Sequence, residues 1–335
     1  MTIEFPAECR HLISRQGGVL ACYQAAEHGL DPESLKSRLR YGDWQRVHRG
    51  VYAVHTGQPS REAELWAALL RCGIGDAVLS HYTAAERHGL LKGQSQSIHV
   101  AVPKRCDPAR YQRIPGVVVH RSDGIVGTCH PAMRPRCTRI EDTVLDILKI
   151  APGFDAKYNW VCAAIGDRRT TAERVLARLA KRERYPGRRE VQLMLGFTRE
   201  GIMSWLELQW VNGVERPHGL PAAKRQVRVA QDSGNKYLDN LYEDYGLCVE
   251  LDGRAAHPES DQRRDKERDR WNLVHGKIVT MRFETRDLRD AEHQCRAAAE
   301  VARFLSDHSE FDQGGPIGRP CSRTCPLSAR LSLGV

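Results

Sequence analysis

Asp239, Glu250 and Asp252, in the last third of the chain, are the residues whose types and spacing most directly suggest chemistry. Glu250 and Asp252 stand two apart in LCVELD, which reads as a buried strand. Strand side chains alternate, so both acids point to one face while Val249 and Leu251 point to the other. Buried unpaired carboxylates are costly unless a cation or a partner offsets them. Asp239, on the preceding strand, supplies a third acid at a distance that a divalent ion can bridge. Mg²⁺, or Mn²⁺ in its place, takes such hard oxygen ligands together with water. A metal held there would activate a water for attack on a phosphodiester and stabilise the developing oxyanion. His257, shortly after Asp252, is placed to act as general base or to protonate the leaving oxygen.

The elements that must position these residues can be read around them. A helix is expected over Met203 to Gly213, carrying Glu207, then strands over Gln226 to Ala230, Lys236 to Leu241 and Leu247 to Asp252. Ser233 and Gly234 supply the turn between the first two strands. A charged helix (Ser260 to His275), a strand (Ile278 to Phe283) and a last helix (about Leu288 to Leu305) follow. On the charged helix, acids and bases pair at i,i+4, as in Arg263 with Glu267, which reads as a solvated face.

Helix, three strands, helix, strand, helix is the order of the PD-(D/E)XK nuclease core. The segments SWLELQ, YLD, VELDGRAAH and RRDKERDRWNLVHGKIVTMRF resemble the Vsr-like (very-short-patch-repair) endonuclease domains. That resemblance implies Mg²⁺-dependent cleavage of DNA, with Glu207 joining the other three acids around one pocket. It also implies that Arg268 and Asp269, which match the family's RD pair, brace the site. Two departures stand out. Asp252 occupies the position of a histidine in the repair enzymes and of lysine in the general pattern, and Leu238 replaces the usual proline.

At the other end, Pro6 to Arg15, Ala21 to His28 and a segment opened by Asp31 and Pro32 read as three helices. Leu35 and Leu39 lie four apart and face a core, which turns Lys36, Ser37 and Arg40 outward. WQRVHRGVYAV then gives two short strands around His48, Arg49 and Gly50. This is the order of a winged helix-turn-helix. QAAEHGLDPESLKSRLRYGDWQRVHRGVYAV is similar to the N-terminal domain of AbiEi-type antitoxins of toxin-antitoxin systems. The similarity implies double-stranded DNA as partner, with Lys36, Ser37 and Arg40 at the major groove, Arg46, His48 and Arg49 on the wing, and a cognate toxin as a possible second partner. The basic outward face agrees with phosphate contact.

Between the two ends, residues 58–152 read as an α/β unit resembling the middle of the same antitoxins, in which His81 and His88 of LSHYTAAERHGL are structural. Residues 153–198 read as a charged, solvated helical connector. Residues 309–335 read as a disordered tail, with Cys321 and Cys325 as free thiols. The expected organisation is therefore an α+β multidomain protein, with a winged helix over 1–57, the middle α/β unit, the connector, a PD-(D/E)XK restriction-endonuclease-like core over 199–308, and the tail.

Composition sets outer bounds on this reading. Fifty-one Lys and Arg against 42 Asp and Glu give a formal charge of +9, which favours a polyanionic partner. Eleven scattered cysteines without a CxxC pair read as reduced thiols. With no apolar run of membrane length and no signal-peptide pattern at the start, the expected setting is the bacterial cytoplasm, away from membranes. Two functions remain open. One is a DNA-binding, metal-dependent endonuclease; the other is an antitoxin-like repressor whose nuclease-fold domain is catalytically inactive.

Overall fold

The computed structural model describes residues 6–73, 75–231, 234–252, 269–308 and 317–328. The chain is a mixed α+β protein with three small sheets among the described residues, and it divides into two compact units, Met1–Gln192 and Leu193–Val335. No helix among the described residues is long and apolar enough to cross a membrane.

The first unit opens with α1 (Ala7–Arg15), β1 (Val19–Ala21), α2 (Cys22–Glu27), α3 (Pro32–Arg40), β2 (Gln45–His48) and β3 (Val51–Ala53). Asp31 caps α3 as expected, its carboxylate accepting from Ser34 N at 2.9 Å. Strand β1 was not expected, because three residues are too few for an alternating pattern to register. It pairs antiparallel with β3 and completes a sheet of order β1-β3-β2. Ile13, Leu20, Ala25, Leu35 and Trp44 form the core beneath α3. Gly17 permits the entry into β1: it takes φ +66°, and a Cβ there would lie 3.0 Å from Ala63 N.

Next come α4 (Arg61–Cys72), β4 (Val78–Leu79), α5 (His81–Arg87), β5 (Ile98–Pro103), β6 (Val117–Ser122), α6 (Ile125–Thr128) and α7 (Ile140–Ile147). Strand β5 runs parallel to β6 and antiparallel to β4. The segment read as a solvated connector is instead α8 (Gly153–Gly166), α9 (Ala172–Ala180) and α10 (Arg188–Arg199), of which α8 and α9 pack on the unit. Tyr158, Val161, Val175 and Leu179 are buried. The arginines that suggested a solvated face turn toward buried acids of α7: Arg178 lies 2.5 Å from Asp142, and Arg182 lies 2.9 Å from Asp142 and 2.7 Å from Asp146.

The second unit contains α11 (Trp205–Trp210), a π-helical turn (Val211–Glu215) and α12 (Arg216–His218), then β7 (Lys224–Gln231), β8 (Gly234–Tyr242) and β9 (Leu247–Asp252). Residues 269–276 are helical (α13) and are followed by β10 (Val279–Glu284) and α14 (Ala291–Asp307). The sheet order is β10-β9-β8-β7, with β9 and β10 parallel and the other pairs antiparallel. Trp210, Val249, Phe283, Leu288, Val301 and Leu305 are the centre of its core. Gly246 starts β9 at φ +60°, where a Cβ would come within 2.8 Å of the Lys277 carbonyl oxygen. The expectation of a disordered tail is corrected over residues 317–328. These form turns in which Cys325 and Leu327 are buried in the same core.

Candidate functional site

The pairing of β8 with β9 sets Asn240 opposite Val249, and extending it one step brings Asp239 level with Glu250. There Asp239 meets the backbone of β9 through its side chain, Oδ2 accepting from Leu251 N at 3.5 Å, while Gln226 Nε2 donates to Oδ1 at 3.3 Å. On the other side of β9, Arg282 of β10 is in register with Glu250. Asp239, Glu250 and Arg282 thus form a row across three adjacent strands, with Asp252 further along β9.

Arg282 contacts both acids of β9. Its Nη1 lies 2.5 Å from Glu250 Oε2 and 3.6 Å from Asp252 Oδ2, and its Nη2 donates to Asp269 Oδ1 at 2.8 Å. Asp269 therefore braces the row through Arg282. Arg268, its partner in the family pattern, lies outside the described residues, as does His257.

Glu207 projects from the first turn of α11. Its N–H is capped by Ser204 Oγ at 3.0 Å, and its own Oε2 accepts from Met203 N at 2.8 Å. Burial raises its pKa to about 7, and the negative charge of Asp239 adds to the rise. A carboxyl that resists ionisation beside another carboxyl is the condition a divalent cation relieves. The hard oxygen donors of Glu207, Asp239 and Glu250 suit Mg²⁺ or Mn²⁺ by type, although Arg282 now engages Glu250 and Asp252. The described residues do contain sets of three or more donor atoms within 4.8 Å of one another, namely His218, Cys295, Cys321 and Cys325, and His81, His99 and His120. The four acids are not among these sets.

The residues expected on DNA lie mainly at the surface of the first unit. Lys36, Ser37, Arg40, Arg46 and Arg49 are exposed. Lys36 also pairs with Glu33 at 2.7 Å, a contact that a phosphate would replace. His48 differs: it is half-buried, and burial together with the charge of Arg71 lowers its basicity, so it is neutral at pH 7 and adds no charge to this face.

Sequence reasoning missed both histidine-containing groups. His88 bonds to the Thr138 carbonyl at 2.8 Å. His81 does have partners, brought from distant strands. Its ring stacks on that of His120 with centroids 3.6 Å apart, and His120 Nε2 lies 2.9 Å from His99 Nδ1. Stacked rings keep their in-plane lone pairs in separate parallel planes, so His81 and His120 do not aim at one ion. At the thiol group the available signal was the CSRTC spacing of Cys321 and Cys325, whose further partners lie far away in sequence.

No family model matches the chain, and no curated protein matches it. Among solved structures, the crystal structure of the RV2827C protein from Mycobacterium tuberculosis aligns over 58% of this chain and 78% of that one, at 17% identity and a TM-score of 0.38. A likeness at that level carries no argument about fold identity or function.

Proposed function

We propose that the protein binds double-stranded DNA through a winged helix at residues 1–57 and hydrolyses DNA phosphodiesters at a PD-(D/E)XK-like site in its second unit. The observation that carries this reading is the row of Asp239, Glu250 and Arg282 across three adjacent strands, with Glu250 buried. Glu207, Asp239 and Glu250 would hold Mg²⁺ or Mn²⁺, which supplies an activated water and neutralises charge on the phosphate. Asp252 remains in the site as a partner of Arg282. Arg282 provides the cation that Asp252 cannot, and its planar fork of donors matches a phosphate. Asp269 orients that fork. His257 is assigned to proton transfer at the attacking water or the leaving oxygen. The exposed Lys36, Arg40, Arg46 and Arg49 bring the duplex to the protein.

The test is nicking of supercoiled plasmid by the full chain with Mg²⁺ or Mn²⁺, and with Asp239→Ala as control. Metal-dependent nicking that disappears in the variant supports the reading.

One observation favours a second reading. Arg282 already engages Glu250 and Asp252, two of the acids that a metal ion would need, as an inactive platform would. In that case the protein is an antitoxin-like repressor, with a cognate toxin as partner. Salt-sensitive duplex binding with no nicking in either ion would select it.

A further inference from the structure

We propose that His218, Cys295, Cys321 and Cys325 form a tetrahedral zinc(II) site that fastens residues 317–328 to the rest of the second unit. Their donor atoms all lie within 4.8 Å of one another, and Cys295 Sγ and Cys321 Sγ are 3.3 Å apart. That is too long for a disulfide bond of about 2.05 Å. It is close to the roughly 3.8 Å edge of a tetrahedron with Zn–S bonds of about 2.3 Å. Three sulfurs and one imidazole are a common structural zinc set, and the three residues between Cys321 and Cys325 fall within the usual ligand spacing.

The histidine supplies an independent observation. His218 is 1% exposed, and its Nδ1 donates to the Val214 carbonyl oxygen at 2.8 Å. That bond fixes the tautomer and leaves the lone pair on Nε2, a buried nitrogen with no hydrogen-bond partner. A buried orphan acceptor costs free energy, whereas metal-binding histidines are oriented in just this way by a carbonyl on the other ring nitrogen. The π-helical turn Val211–Glu215 immediately precedes α12 and sets the direction from which His218 projects.

A bound zinc ion favours the thiolate form of each sulfur that ligates it. Each thiol that ligates gives its proton to solvent, so zinc affinity rises with pH. The backbone holds the tail in place for this: Arg319 N donates to the His218 carbonyl at 2.6 Å, and Gly318, at φ +93°, passes close to Leu220 and Ala302.

The test uses the full chain purified under reducing conditions. We expect one zinc per chain by elemental analysis, and replacement by Co²⁺ should give a sulfur-to-cobalt charge-transfer band with tetrahedral d–d absorption. Cys321→Ser, which alters an exposed ligand and should fold, should weaken zinc binding by at least about 10-fold. His218→Gln and Cys325→Ser should do the same, while Cys22→Ser, outside the group, should leave it unchanged. Chelation should lower the melting temperature by about 5 °C or more. Protein that contains no zinc and gives no cobalt spectrum would overturn the proposal. So would a Cys295–Cys321 disulfide in the purified protein, or undiminished zinc binding by Cys321→Ser. Because none of these readouts depends on DNA cleavage, failure here and failure of the endonuclease reading are separable.

Discussion

Arg282 and Glu250 occupy matching positions on two parallel strands, with Nη1 of one 2.5 Å from Oε2 of the other. Glu250 is 4% exposed, so the guanidinium offsets part of the cost of burying its charge. Removing one member of such a pair leaves the other buried with less compensation.

Arg282→Gln should therefore destabilise the second unit by about 2–3 kcal/mol, somewhat below the usual cost because the arginine is partly solvated. Millimolar Mg²⁺ should then stabilise the variant more than the parent, because a cation can replace the one removed. Urea titrations with and without Mg²⁺ measure both effects. Equal stability of variant and parent would remove Arg282 from this role.

Glu207 gives a pH dependence of definite sign. Its folded-state value of about 7 lies above its ordinary 4.5, so the folded protein holds the proton more tightly than the unfolded chain. The resulting stability is fully present below about pH 4.5 and is lost as pH rises through about 7, a change of about 3 kcal/mol. Glu207→Gln should flatten this decline. Thermal melts across that range test it, and an unchanged slope in the variant would refute the assignment.

The histidines of the first unit should act in the opposite direction. Burial and the neighbouring His120 depress His81 to about 3 and His99 to about 4, from 6.5. Both are neutral in the folded state, so their stabilisation is present above about pH 6.5 and is lost as pH falls through those values. His99→Gln should lessen the acid sensitivity of the first unit while leaving the second unchanged. Hydrogen exchange resolved by segment would report each unit separately, and identical acid profiles for variant and parent would contradict the prediction.

For DNA, Arg46→Ala and Arg49→Ala should each reduce the slope of log affinity against log salt by about 0.9 if each neutralises one phosphate. His48→Gln should leave binding at pH 7 and above unaltered, because burial lowers the basicity of this half-buried ring. Fluorescence anisotropy with a labelled duplex would measure both effects. Unchanged slopes in the arginine variants would place the duplex elsewhere on the protein.

Much of the element order was legible in the sequence, because periodicity, caps and glycines are local signals. Asp31 with Pro32 announced α3, and the alternation in LCVELD announced β9. What failed was long-range. The charges of α9 and of the turn after it looked solvated until α7 supplied Asp142 and Asp146 as partners of Arg178 and Arg182. Arg282 lies thirty positions beyond Asp252, so nothing near the acids revealed the cation that holds them. His81 was judged partnerless because His99 and His120 arrive on strands β5 and β6. Cys321 and Cys325 were read as a lone pair of thiols for the same reason, since His218 and Cys295 join them only through tertiary packing.

The docking of residues 317–328 against His218 and Leu220 has a consequence for biosynthesis. Cys325 and Leu327 are buried in the core of the second unit yet follow the other residues of that core in sequence. The first unit has all its described parts once Gln192 has emerged from the ribosome, but the second cannot close its core until Leu327 has emerged. A stop codon introduced before Cys325 would therefore harm the second unit selectively and leave the first intact.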